Sequence, residues 1–154
     1  MRRGISLLLA ILTSLSLEAC DSADNGAPPG LSADAREDAV REQLPGTWLR
    51  EYTLGGIAAR RLLVLETDGQ FREQVRVTDA DGHVTEHLHE GSWLYDGTNL
   101  KRKYTLMDGK PPSRLNLPFV TFQLIFESRN EFTGVDHVHK NEVRYRRMPP
   151  ETLL

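Results

Sequence analysis

A single cysteine among 154 residues means that no disulfide can form within the chain. Excess charge is lacking too. The formal net charge is −3, and from Gly46 onward fifteen Asp and Glu stand against fifteen Lys and Arg. A domain so balanced gives no reason to expect nucleic acid or a strongly anionic surface as partner. No Ser or Thr sits in a recognisable nucleophile motif, and no glycine-rich loop could cradle a phosphate. Neither enzymatic activity nor a cofactor is therefore expected. The apolar run Gly4 to Leu17 falls short of the about 20 residues that a membrane span needs.

What is present begins at the amino end. Met1-Arg2-Arg3 is a basic start, and the apolar run behind it ends in small residues, as a secretory signal does. Leu17-Glu18-Ala19-Cys20 resembles the bacterial lipobox, with Leu and Ala in the expected places and Glu18 departing from the small or apolar residue usual there. The resemblance implies that residues 1–19 are removed and that Cys20 is acylated, becoming the new amino terminus. Each buried acyl methylene contributes about 0.8 kcal/mol, so a multiply acylated cysteine holds a soluble domain on a membrane. Such a protein would lie in the cell envelope, lipid-anchored to the inner or outer membrane and facing the periplasm. Asp21 resembles the residue that retains lipoproteins in the inner membrane of enteric bacteria.

Residues 20–31, with Asp24, Gly26, Pro28, Pro29 and Gly30, have the small, polar texture of a linker. Residues 32–44 fit a short helix. Asp34 and Glu37 suggest a capping pattern, Ala35, Ala39, Val40 and Leu44 give an apolar stripe, and Pro45 is the stop. Beyond it the texture turns to alternation punctuated by Asp68-Gly69, Asp81-Gly82, Asp96-Gly97 and Asp108-Gly109, the dipeptides that tight hairpins favour. About eight strands follow, at 48–54, 60–67, 70–78, 83–95, 99–107, 119–127, 131–138 and 142–148. An antiparallel meander of that size buries its apolar face best by closing on itself, which also removes unpaired edges. The expected class is thus all-β: a closed barrel over 45–148, a short helix before it, and a tail at 149–154.

Two Gly-x-Trp triplets mark this domain: Gly46-Thr47-Trp48 at its start and Gly91-Ser92-Trp93 in the fourth strand. The first, ahead of an all-β meander, resembles the lipocalin signature, and Gly91 to Leu100 resembles a segment of small bacterial lipocalin-like domains. The resemblance implies that Trp48 plugs one barrel end and that an arginine of the last strand lies across it. Arg144, Arg146 and Arg147 are the candidates.

An eight-stranded barrel encloses either side chains alone or one small ligand. Trp48, Phe71, Tyr104, Phe122 and Phe126 are the aromatic candidates for lining such a cavity. Glu73 and Arg102 share the apolar parity of their strands, with Leu106 on the same face as Arg102 and Tyr104. Buried charges must be paired or solvated, so Glu73 and Arg102 form an internal salt bridge, are turned outward by a bulge, or seat the polar head of a ligand. Histidines at alternate positions, His87 with His89 and His137 with His139, have metal-ligand spacing. Val84 and Leu88 are the apolar residues of the fourth strand, which assigns its histidines to the solvent face, and two strands separate the pairs. No metal is expected. A small hydrophobic or amphipathic ligand is the expected partner. The alternative is a solid barrel that binds a protein, unidentified, through its loops, as an envelope inhibitor or assembly factor.

Overall fold

The computed structural model describes residue 30 and residues 32–113, 118–136 and 140–154. Cys20, the signal-like segment, most of the linker, His137 and His139 lie outside the described residues. One helix, α1 (Ala33–Gln43), precedes eight antiparallel strands: β1 (Gly46–Leu54), β2 (Ile57–Leu65), β3 (Gln70–Thr78), β4 (Val84–Tyr95), β5 (Asn99–Met107), β6 (Phe119–Ser128), β7 (Glu131–Asp136) and β8 (Asn141–Met148). Each strand pairs with its successor, and β8 returns to β1, closing an all-β barrel.

The helix is capped by Ser32 rather than Asp34: its Oγ accepts from the Ala35 amide at 3.3 Å. Asp34 sits in the first turn, where its charge suits the helix dipole. Of the expected stripe, Val40 and Leu44 are buried, and both join the barrel core. α1 therefore closes one end of the barrel.

Aspartates build the turns by accepting backbone amides, which is why they recur. Asp68 accepts from Gln70, and Asp96 from Thr98 and Asn99. In the β3–β4 turn the acceptor is Asp79, which takes the amides of Asp81 and His83. β2 begins at Ile57, earlier than the alternation suggests, because Gly55-Gly56 makes a two-residue turn that pairs Leu54 with Ile57.

Cross-strand partners share a face, so the register assigns the interior. One inward row joins Leu65, Phe71, Gly91 and Tyr104; the next joins Trp48, Leu63, Glu73, His89 and Met107. A bulge between Glu90 and Gly91 breaks the parity of β5 beyond Tyr104. Past it Met107 faces inward and packs on the core, while Leu106 pairs with outward-facing Glu90, a correction to the simple alternation. Gly91 is held to glycine by close approach: a Cβ there would stand 2.0 Å from the Lys103 carbonyl oxygen.

Candidate functional site

At the α1 end, Trp48 is fully buried; its indole N–H donates to the Leu44 carbonyl at 2.8 Å. Its ring meets Phe132 edge-on at 4.7 Å and Phe126 at 6.0 Å. The arginine across it is Arg147, with its guanidinium carbon 4.1 Å from the indole centre. Register explains the choice, since Trp48 and Arg147 are direct partners between β1 and β8. Arg144 and Arg146 point outward instead, to Glu131 at 3.5 Å and Glu51 at 3.0 Å. Arg147 also donates to the carbonyls of Pro45 at 3.1 Å, Arg129 at 3.2 Å and Gln43. Gly46 leaves room for it: a Cβ there would meet Arg147 Nη1 at 2.5 Å. Trp93 of the second triplet packs on the core at this same end and donates to the Glu66 carbonyl at 2.9 Å.

Phe71, Tyr104, Phe122 and Phe126 are all buried in the cluster that holds Trp48, so the structure brings the five aromatic candidates together. Phe71 meets Tyr104 edge-on at 5.1 Å, and Phe122 stacks with Tyr145 at 6.5 Å. Among these rings sits the charged pair. Arg102 Nη1 donates to Glu73 Oε1 at 3.0 Å, and the Tyr104 hydroxyl donates to Oε2 at 3.0 Å. Glu73 is 0% and Arg102 4% exposed, so this is an ion pair inside the barrel. Burial pushes the Glu73 carboxyl up, yet the Arg102 and Arg61 charges with the two short hydrogen bonds outweigh it, leaving it below the usual carboxylate range. Burial pushes the Tyr104 and Tyr145 hydroxyls up.

Toward the end away from α1, the interior becomes half-exposed and basic. Arg50 and Arg61 are direct partners on β1 and β2, in one row with Val75 and His87. Arg61 Nη1 reaches Glu73 Oε2 at 3.4 Å and its Nε reaches the Tyr52 hydroxyl at 3.4 Å. Arg50 lies over the Tyr52 ring at 4.4 Å. Periodicity alone left Arg50, Tyr52 and Arg61 unnoticed, although a signal exists: they share the parity of Trp48 on β1 and of Leu63 on β2.

The histidines of β4 reverse their expected facing. His87 and His89 are partners of inward-facing Val75 and Glu73, while Val84 and Leu88 are 46% and 41% exposed. The wall still carries the fold, as expected, but with its apolar residues outside near this rim. His89 meets the Tyr104 ring edge-on at 5.7 Å, and its buried Nδ1 has no hydrogen-bond partner among the described residues. His87 Nδ1 stands 2.9 Å from Asp108 Oδ2, which holds that carboxyl below its ordinary value. No third ligand joins His87 and His89 among the described residues; the grouping with metal-ligand spacing there is Asp79, Asp81 and His83, all exposed on a turn.

On the outer wall, Leu153 and Leu154 of the tail line a groove of about 460 Å³ with Gln74, Arg76 and Leu88. Gln74 is the partner of Leu62, which with Leu49 is buried despite facing outward. No family model matches this chain, and no curated protein matches it.

Proposed function

We propose that this chain is a membrane-anchored, lipocalin-like protein of the cell envelope that binds a small amphipathic molecule, and that it is a binding protein rather than an enzyme. The lipobox-like Leu17 to Cys20 supports the anchor. One observation supports the binding reading above others: the barrel is sealed at the α1 end and keeps inward-facing, half-exposed side chains at the opposite end. Tyr52, Arg61, Val77, His87 and Val143 all have inward parity and none is fully buried. A barrel filled like a simple core would bury them. A ligand enters at that end, over a layer closed by Glu73, Arg102 and Tyr104.

The neutral fluorophore N-phenyl-1-naphthylamine tests the site. It should bind the purified full chain with enhanced emission, and Val77→Trp, which narrows the half-exposed end, should abolish the enhancement while thermal unfolding stays cooperative. Emission that is unchanged in wild-type protein counts against the reading. Cys20→Ser should move the protein from the membrane to the soluble fraction of a bacterial host; unchanged fractionation refutes the anchor. One observation favours a protein partner instead: exposed Leu88 and Leu153 line the outer groove. Crosslinking through that groove, abolished by Leu88→Glu and combined with no probe binding, would favour that second reading.

A further inference from the structure

We propose that the half-open end of this barrel binds the anionic head group of its ligand between Arg50 and Arg61, so that the ligand class is an amphiphile with a carboxylate or phosphate head. This rests on the binding reading above and narrows it. Arg50 and Arg61 stand directly opposite each other on β1 and β2, on the inward face. Like charges so placed repel, and a fold ordinarily separates them or supplies an acid to each. The outward arginines show that supply. Arg60 pairs with Glu51, Arg72 with Glu90, Arg76 with Glu86, and Arg144 with Glu131.

Inside, the supply fails. Glu73 is the carboxylate that Arg102 and Arg61 share. Arg102 holds its Oε1 at 3.0 Å, Tyr104 holds Oε2 at 3.0 Å, and Arg61 reaches Oε2 only at 3.4 Å. Arg50 makes no ion pair among the described residues and lies over the Tyr52 ring. Asp136, of inward parity at the rim end of β7, has a partner of its own. Asp108, at the rim, is engaged by His87 and by the Leu88 amide. In this layer Arg102 and Arg61 therefore draw on Glu73 alone and Arg50 on no carboxylate among the described residues, where the buried Arg102 Nε also has no hydrogen-bond partner. Positive charge held in a concave, partly desolvated site attracts an anion strongly.

The chemistry of the groups suits that anion. A guanidinium presents paired N–H donors that match the two oxygens of a carboxylate or phosphate, and two forks side by side can clamp one head group. Tyr52, in contact with both arginines, offers a hydroxyl at the same place. The head enters first, because the layer beneath is closed. The tail then points outward past Val77 and Val143, toward a rim where Leu54 and Ile57 are exposed.

Displacement of N-phenyl-1-naphthylamine from the purified full chain by decanoate, decyl phosphate and decanol tests this. The two anions should displace the probe at concentrations at least about tenfold below that of decanol. Arg50→Gln and Arg61→Gln should each remove about tenfold of that preference, read within each variant as the ratio of anion to decanol displacement; Arg50→Lys, which keeps charge without the fork, should retain part of it. Raised salt should weaken the anions alone. The stronger of decanoate and decyl phosphate names the head group. Probe binding with decanol as effective as both anions, or a preference untouched in both glutamine variants, overturns the anion site and leaves the binding reading standing. No probe binding in wild-type protein overturns both.

Discussion

At the α1 end of the barrel, the donors of Trp48 and Arg147 meet backbone carbonyls. The Trp48 indole donates to Leu44, and Arg147 spreads its donors over the carbonyls of Gln43, Pro45 and Arg129. At the opposite end, Arg50 and Arg61 face each other across one strand gap; Arg61 reaches Glu73 at 3.4 Å, and Arg50 has no carboxylate partner among the described residues. Both ends are lined by arginine and aromatic side chains, so composition does not separate them. The difference lies in what neutralises the charge. A guanidinium satisfied by backbone carbonyls over an indole is a structural clamp; one left beside another guanidinium is, on the proposed reading, the receptor for an anion. Between them Glu73 is the boundary, and the comparison can be broken there first.

Glu73→Ala should lower the unfolding free energy by about 3–5 kcal/mol in urea denaturation, since it leaves Arg102 buried without a counter-charge. Adding Arg102→Met should recover much of the loss, because the penalty is the orphaned charge and not the missing attraction. Failure of the second substitution to recover stability would show that packing around Glu73, and not charge, sets this layer. Next in size, Arg147→Ala should cost about 2–3 kcal/mol through the lost carbonyl bonds and ring contact, with Arg147→Lys restoring little. Equal stability of wild type and Arg147→Ala would dissolve the distinction between clamp and receptor.

Acid should act most on the boundary layer and on one turn. Glu73 lies below the ordinary carboxylate range, and Asp96, hydrogen-bonded by Lys101 and two backbone amides, is lowered to about 2. A carboxyl depressed on folding stabilises the native state above its unfolded pKa, which is near 4 for both groups. Stability should therefore hold at neutral pH, begin to fall near pH 4, and keep falling toward pH 2. Glu73→Gln should flatten much of that acid limb in equilibrium unfolding measured across pH 2–6. A limb of unchanged steepness would mean that Glu73 titrates normally and that its pairing with Arg102 is weak.

How much of this was legible in the chain depends on the range of the signal. Strand limits follow from turn residues that act locally, so β3 and β5 fall at Gln70–Thr78 and Asn99–Met107 as their flanking Asp-Gly pairs suggest. Inward parity placed Glu73 and Arg102 together for the same reason. Arg147 could not be chosen over Arg144 and Arg146 without the β1–β8 register, which is a contact over about a hundred residues and leaves no local trace. The histidines misled because Val84 and Leu88, apolar and alternate, mimic a buried face where the wall is exposed at its rim. Arg50 and Arg61 were readable by parity one strand at a time. Their opposition was not, since it depends on the Gly55-Gly56 turn that sets the β1–β2 pairing.

The smallest effect is the sharpest, because its sign differs from the rest. Removing one of two opposed charges on a shared face relieves repulsion, so Arg50→Gln should raise the unfolding free energy by about 0.2–1 kcal/mol. An arginine that serves the fold loses stability when neutralised, as Arg147 should; one kept for a ligand gains it while binding declines. Raised salt screens the same repulsion, so the gain should shrink between low and high ionic strength. A loss of stability in Arg50→Gln at low salt would mean that Arg50 already has its counter-charge in the folded chain, and the two barrel ends would then differ in exposure alone.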